Sequence, residues 1–127
     1  SNNMQRLTSK LVQSVEAALE RGDMRMAEEL SRQIIAVEPG HLYGRFFLSI
    51  SLFQQGRYAE SIKENREVLR QFPAFADGYL QLANGLETAG LLAEARQAYQ
   101  TLLARTQDEK MRQMGRERLQ RLEERIQ

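Results

Sequence analysis

His41 is the only histidine in the chain, and imidazole is the side chain best suited to move a proton near neutral pH. A catalytic base needs a partner nucleophile within reach, and the spacing around His41 supplies none. A histidine-based metal site needs a second histidine or a carboxylate cluster. The adjacent acids Glu28 and Glu29, like Glu123 and Glu124, point in different directions on a helix and read as solvated. Cysteine is absent, which excludes disulfides, thiolate-bound zinc and thiol catalysis. No glycine-rich phosphate loop occurs. These residues therefore predict no catalytic group, no metal, no cofactor and no enzyme. His41, just after Pro39-Gly40, reads as an exposed residue at a helix entrance.

The elements that carry these residues belong to a chain of 127 residues, enough for one ordinary domain. An apolar fraction of 42% supports a folded core. With 18 basic and 17 acidic residues the net charge is +1, which gives no long-range pull toward nucleic acid or anionic membrane. No basic stripe precedes the last helix, so no nucleic-acid partner is expected. No apolar run approaches the ~20 residues that span a bilayer, so no membrane insertion is expected either. The chain is expected to be soluble, with its compartment, cytoplasm or periplasm, left open. Ser1-Asn2 reads as a remnant of tag cleavage.

Breakers recur at one interval. Gly22, Gly56 and Gly90 are spaced by 34 residues, as are Pro39 and Pro73, and Gly44 and Gly78. Between them the apolar residues follow helical spacing, as in Leu7, Leu11, Val15, Ala18 and Leu19. Helices are predicted over about Leu7 to Leu19, Met24 to Val37, His41 to Gln54, Tyr58 to Gln71, Phe75 to Thr88 and Leu92 to Arg105. Gly22, Gly56 and Gly90 suit the left-handed exit from a helix. Pro39 and Pro73 stop the helices before them. Short links make neighbouring helices antiparallel. Gly44 and Gly78, inside helices at a cost of ~1 kcal/mol each relative to alanine, mark close crossings.

These positions resemble the tetratricopeptide repeat family, whose 34-residue unit is a helix–turn–helix. In the third unit the family's signature falls on Tyr79, Leu82, Ala83 and Leu86, then on Ala95 and Tyr99. The second unit offers Arg45, Leu48, Ser49 and Leu52, then Ser61, Asn65 and Pro73. The first offers Leu11, Ser14, Val15 and Ala18, then Ala27, Ser31 and Pro39. Arg45 and Asn65 depart from usual aromatics, and Gln107 stands where a proline would close the third unit. The resemblance covers about Thr8 to Gln107. It implies an all-α, right-handed α-solenoid of three antiparallel hairpins, at about 8–41, 42–75 and 76–107, with a seventh capping helix over 108–127. In that helix Met111, Met114, Leu119, Leu122 and Ile126 are expected to face inward, and five arginines and three glutamates to face out. A dimerising helix or the start of a fourth unit is the alternative.

The resemblance also implies that the first helix of each unit lines a concave face. The sites are Ser9, Val12, Glu16, Leu19 and Glu20, then Tyr43, Phe46, Ile50, Phe53 and Gln54, then Asp77, Leu80, Asn84, Glu87 and Thr88. Independently, Tyr43, Phe46, Phe47, Ile50 and Phe53 exceed what one packing stripe needs, since Leu48 and Leu52 already supply one. Two readings stay open: these rings pack against neighbouring units, or they form a binding surface. In the second case the partner is a peptide or protein segment with apolar anchors, and Glu16, Glu20, Asp77 and Glu87 favour basic flanks. In the family it resembles, a clamp for a C-terminal carboxylate uses lysine, asparagine and arginine at groove sites that here hold Val12, Glu16, Phe47, Asp77 and Gln81. Two of these residues are acidic and none is basic, so no such clamp is expected. The leading function is thus a scaffold or adaptor that binds protein segments. The alternative is a self-association or spacer domain, as a homodimer or within a larger protein.

Overall fold

A computed structural model describes residues 2–127. Seven helices follow in order: α1 (Asn2–Glu20), α2 (Met24–Val37), α3 (Leu42–Gln54), α4 (Tyr58–Gln71), α5 (Ala76–Thr88), α6 (Leu92–Arg105) and α7 (Glu109–Ile126). No strand occurs among the described residues. The helices gather into two compact units, residues 1–64 and 65–127, and α4 contributes its first turns to one and its last turns to the other. Within each unit, helices pack on their neighbours in sequence, α1 on α2 and α2 on α3, then α5 on α6 and α6 on α7. This is the organisation of an all-α, solenoid-like fold.

The turns explain the glycine spacing. Gly22, Gly56 and Gly90 have φ of +79°, +80° and +83°. Beside each, two backbone amides close the preceding helix: Gly22 N donates to Leu19 O and Asp23 N to Ala18 O, at 3.1 and 2.9 Å. Arg57 N to Leu52 O and Leu91 N to Leu86 O repeat the second of these bonds at 2.9 and 2.8 Å. This double closure satisfies carbonyls that the helix end leaves orphaned, and it needs a left-handed residue that costs only glycine nothing. Asp23 then accepts from Met26 N at 3.1 Å and caps α2.

Gly44 serves packing. A Cβ there would sit 3.0 Å from Ile34 Cγ2 and 3.1 Å from Ile35 Cγ1, so its absence lets α3 cross α2 closely. The N-terminal part of α2 is held by charge. Glu28 accepts from Arg32 at 2.9 Å, Gln55 at 3.0 Å and Arg57 at 2.8 Å, and Arg57 forks onward to Glu60 at 2.8 Å. Burial alone would raise the Glu28 pKa, but these donors outweigh it and hold the carboxyl below its usual range. Glu28 is thus a structural acid, not the solvated one its sequence suggested.

Two expectations change at the chain's ends. α1 starts at Asn2, more than a turn before the expected Leu7, and Thr8 ties it to the end of α2 by donating to Glu38 at 3.0 Å. In α7, Leu122 is fully buried and Gly115 is buried, with Met111 and Leu119 half-buried. Met114 and Ile126 are exposed, against the expected inward stripe. The inward row runs 111, 115, 119, 122, and Gly115 is its contact with α6: a Cβ there would stand 3.1 Å from Leu102 Cδ2. Met114 falls off that row, and Ile126 lies in the last turn beyond Leu122.

Candidate partner-binding site

In the first unit, α1 and α3 touch directly. On α1, Val12 and Leu19 are half-buried beside the buried row Leu11, Val15, Ala18, while Ser9, Glu16 and Glu20 are exposed. On α3, His41 Nδ1 accepts from Tyr43 N at 3.2 Å, so the lone imidazole caps the helix. Tyr43 is 40% exposed, Ile50 and Phe53 are half-buried, and Gln54 is exposed. Phe46 is only 9% exposed and Phe47 8%. The packing alternative therefore describes Phe46 and Phe47, which offer a ring edge at most. The Tyr43 ring stacks on Phe47 at 5.2 Å and meets Phe46 edge-on at 6.4 Å. Phe53 lies 5.5 Å from the Tyr58 ring. The result is an aromatic floor with Tyr43, Ile50 and Phe53 as its accessible surface.

In the second unit, the corresponding α5 residues have different company. Asp77 and Thr88 are exposed and Leu80, Asn84 and Glu87 half-buried. Asn84 Oδ1 accepts from Arg118 Nη1 at 2.7 Å and from the Tyr99 hydroxyl at 3.4 Å. Glu87 Oε1 accepts from Tyr99 at 2.9 Å and its Oε2 from Arg125 Nη1 at 2.9 Å. Burial and then the Glu87 bond push the Tyr99 phenol up to about 12, so it stays a donor. Arg118 and Arg125, read from sequence as solvated, are instead partners of α5. Arg112 likewise donates to the Leu103 carbonyl. The legible signal was spacing: Asn84 and Glu87 share one face of α5, and Arg118 and Arg125 share one face of α7.

At the carboxylate-clamp positions, Val12 and Gln81 are half-buried, Phe47 is buried, and Glu16 and Asp77 are exposed acids. None of these five residues carries a guanidinium or ammonium group. Among the described residues, no group of three or more histidine, cysteine, aspartate or glutamate side chains could hold a metal ion. No helix of the described residues is long and apolar enough to cross a membrane.

Two family models, both described as tetratricopeptide repeat, match residues 13–76 and 52–119. No match was found among curated proteins. Among solved structures, the chain resembles the Yersinia enterocolitica type III secretion chaperone SycD in complex with a peptide of the translocator YopD. That match has a TM-score of 0.87 at 13% identity, covering 100% of this chain and 97% of that one. It also resembles the second such domain of human RPAP3 in complex with an HSP70 peptide, with a TM-score of 0.83 at 14% identity over 94% and 98% of the two chains. A third is the Thermobaculum terrenum O-GlcNAc transferase, with a TM-score of 0.80 at 17% identity, covering 85% of this chain but 21% of the transferase. Identities this low establish a shared fold.

Proposed function

Because the chain belongs to the tetratricopeptide repeat family, we propose that it is a protein-interaction module, without catalysis of its own. Its α1–α3 surface takes a peptide or protein segment with apolar anchors and basic flanks. The observation that carries this reading is the α3 aromatic floor, with Tyr43 40% exposed above buried Phe46 and Phe47. A half-open ring over a rigid base loses little freedom when a ligand packs on it. Glu16 and Glu20, exposed on the adjacent helix, favour lysine or arginine beside the anchors. SycD and RPAP3 with bound peptides support binding as the kind of function. The HSP70 peptide SGPTIEEVD is acidic, and the exposed acids Glu16 and Glu20 beside the α1–α3 surface argue for a ligand of opposite charge here.

The test is fluorescence anisotropy with two short synthetic peptides, each with leucine anchors, one flanked by arginines and one by glutamates. The basic-flanked peptide is expected to bind, more weakly as salt rises. Preference for the acidic-flanked peptide would overturn the charge assignment, and binding of neither would overturn the site. A second reading is self-association through α7, where Met114 and Ile126 are exposed. Sedimentation equilibrium of the wild type beside Met114→Glu, Ile126→Glu decides it: a wild-type dimer lost in the variant supports it, and a monomeric wild type removes it.

A further inference from the structure

Glu87 is more than a capped surface acid. Its two carboxylate oxygens have different partners: Oε1 is fixed by Tyr99, and Oε2 takes Arg125 at 2.9 Å. Tyr99 is fully buried, so its hydroxyl is a rigid post that sets the orientation of the carboxylate. Arg125 is of another kind. Its side chain is 54% exposed, against 25% for Glu87. It lies in the last turn of α7, beyond Leu122, the last buried residue of that helix. Helix ends fray, and this turn has no buried apolar residue to hold it, Ile126 being 40% exposed. Arg118 differs, because its bond to Asn84 is made between the buried residues Gly115 and Leu122.

We propose that Glu87 is, within its own unit, a cation-accepting site for an arginine or lysine of a basic ligand segment, and that Arg125 is its resident occupant, displaced when that side chain binds. The proposal rests on the binding reading above for the basic character of the ligand. It does not require the α1–α3 and α5 surfaces to act together. An exposed ion pair is weak, worth about fivefold or less in equilibrium terms. A ligand arginine or lysine offers the carboxylate the same charge-assisted bond and can replace it. Only the last turn of α7 has to loosen, while Leu122 and Gly115 keep the rest docked.

The test is a nuclear magnetic resonance titration of isotope-labelled wild type with the basic-flanked leucine peptide, following the Arg125 Nε–H and Tyr43 amide signals. Affinities of Arg125→Ala, Arg125→Lys and Glu87→Gln are measured in parallel. The expected result is displacement of the Arg125 signal on binding, with Arg125→Ala binding about threefold tighter. Arg125→Lys should stay near wild type, and adding Glu87→Gln should abolish the gain. Movement of Tyr43 with no movement of Arg125, and no gain in Arg125→Ala, would overturn the inference and leave the α1–α3 site standing. Movement of Arg125 without Tyr43 would uphold the inference and remove the α1–α3 site. If neither moves, both fall. A lower melting temperature in Arg125→Ala with no tighter binding would show a plain staple and overturn the proposal.

Discussion

The outward residues of α3 and α5 are equivalent positions 34 residues apart, yet the two faces are built oppositely. Tyr43, Phe46, Ile50 and Phe53 on α3 correspond to Asp77, Leu80, Asn84 and Glu87 on α5. On α3 the rings stack on one another and leave an apolar surface half open. On α5 Asn84 and Glu87 are answered within the unit, by Tyr99 from α6 and by Arg118 and Arg125 from α7. One repeat register therefore carries two surfaces. The apolar one gains by meeting a partner, because water leaves it. Under the proposed displacement of Arg125, the polar one exchanges one charged bond for another, which sets charge preference more than affinity.

The sharpest way to break this contrast is to undock α7. Leu122→Ala removes a fully buried side chain and should cost about 3 kcal/mol of stability, read by urea unfolding. If α3 acts alone, affinity for the basic-flanked peptide should change little where the variant is still folded. A loss of affinity as large as the loss of stability would tie the two faces together.

The first unit has its own polar lock, and removing it is the next largest effect. Glu28→Ala strips the acceptor from Arg32, Gln55 and Arg57 and should cost about 2 kcal/mol. The folded pKa of Glu28 is lowered, so its contribution is present above the unfolded carboxylate value of about 4.3. It is lost as pH falls below that value through the folded pKa. Glu28→Gln should flatten acid destabilisation in that window, measured by thermal melts across pH.

Tyr99→Phe should cost about 1 kcal/mol, since Glu87 keeps Arg125 and loses one donor. The Tyr99 pKa is raised to about 12, so its stabilisation is intact below the unfolded value of about 10 and declines as pH rises toward 12. The variant should lose that alkaline slope.

Much of the fold was legible because backbone constraints leave local marks. Gly22, Gly56 and Gly90 had to accept positive φ, and Gly44 had to admit Ile34, so their spacing revealed helix ends and one crossing. α3 was harder to orient. Nearly every residue from Phe46 to Phe53 is apolar or small, so periodicity could not separate buried Phe46 from half-open Phe53. α7 misled for a related reason. Its tightest contact is Gly115, which has no side chain to enter an apolar pattern, so Met114 and Ile126 were drawn into the stripe. The partners of Arg118, Arg125 and Glu28 depend on how helices dock, and composition alone leaves every surface charge equally available.

The most direct measurement is the affinity of Tyr43→Ala for the basic-flanked peptide, with its melting temperature taken alongside. Tyr43 is 40% exposed, so the account predicts a stability change near 0.5 kcal/mol and about a tenfold loss of affinity. Unchanged affinity in a variant that melts like wild type would contradict the α3 surface as the binding site.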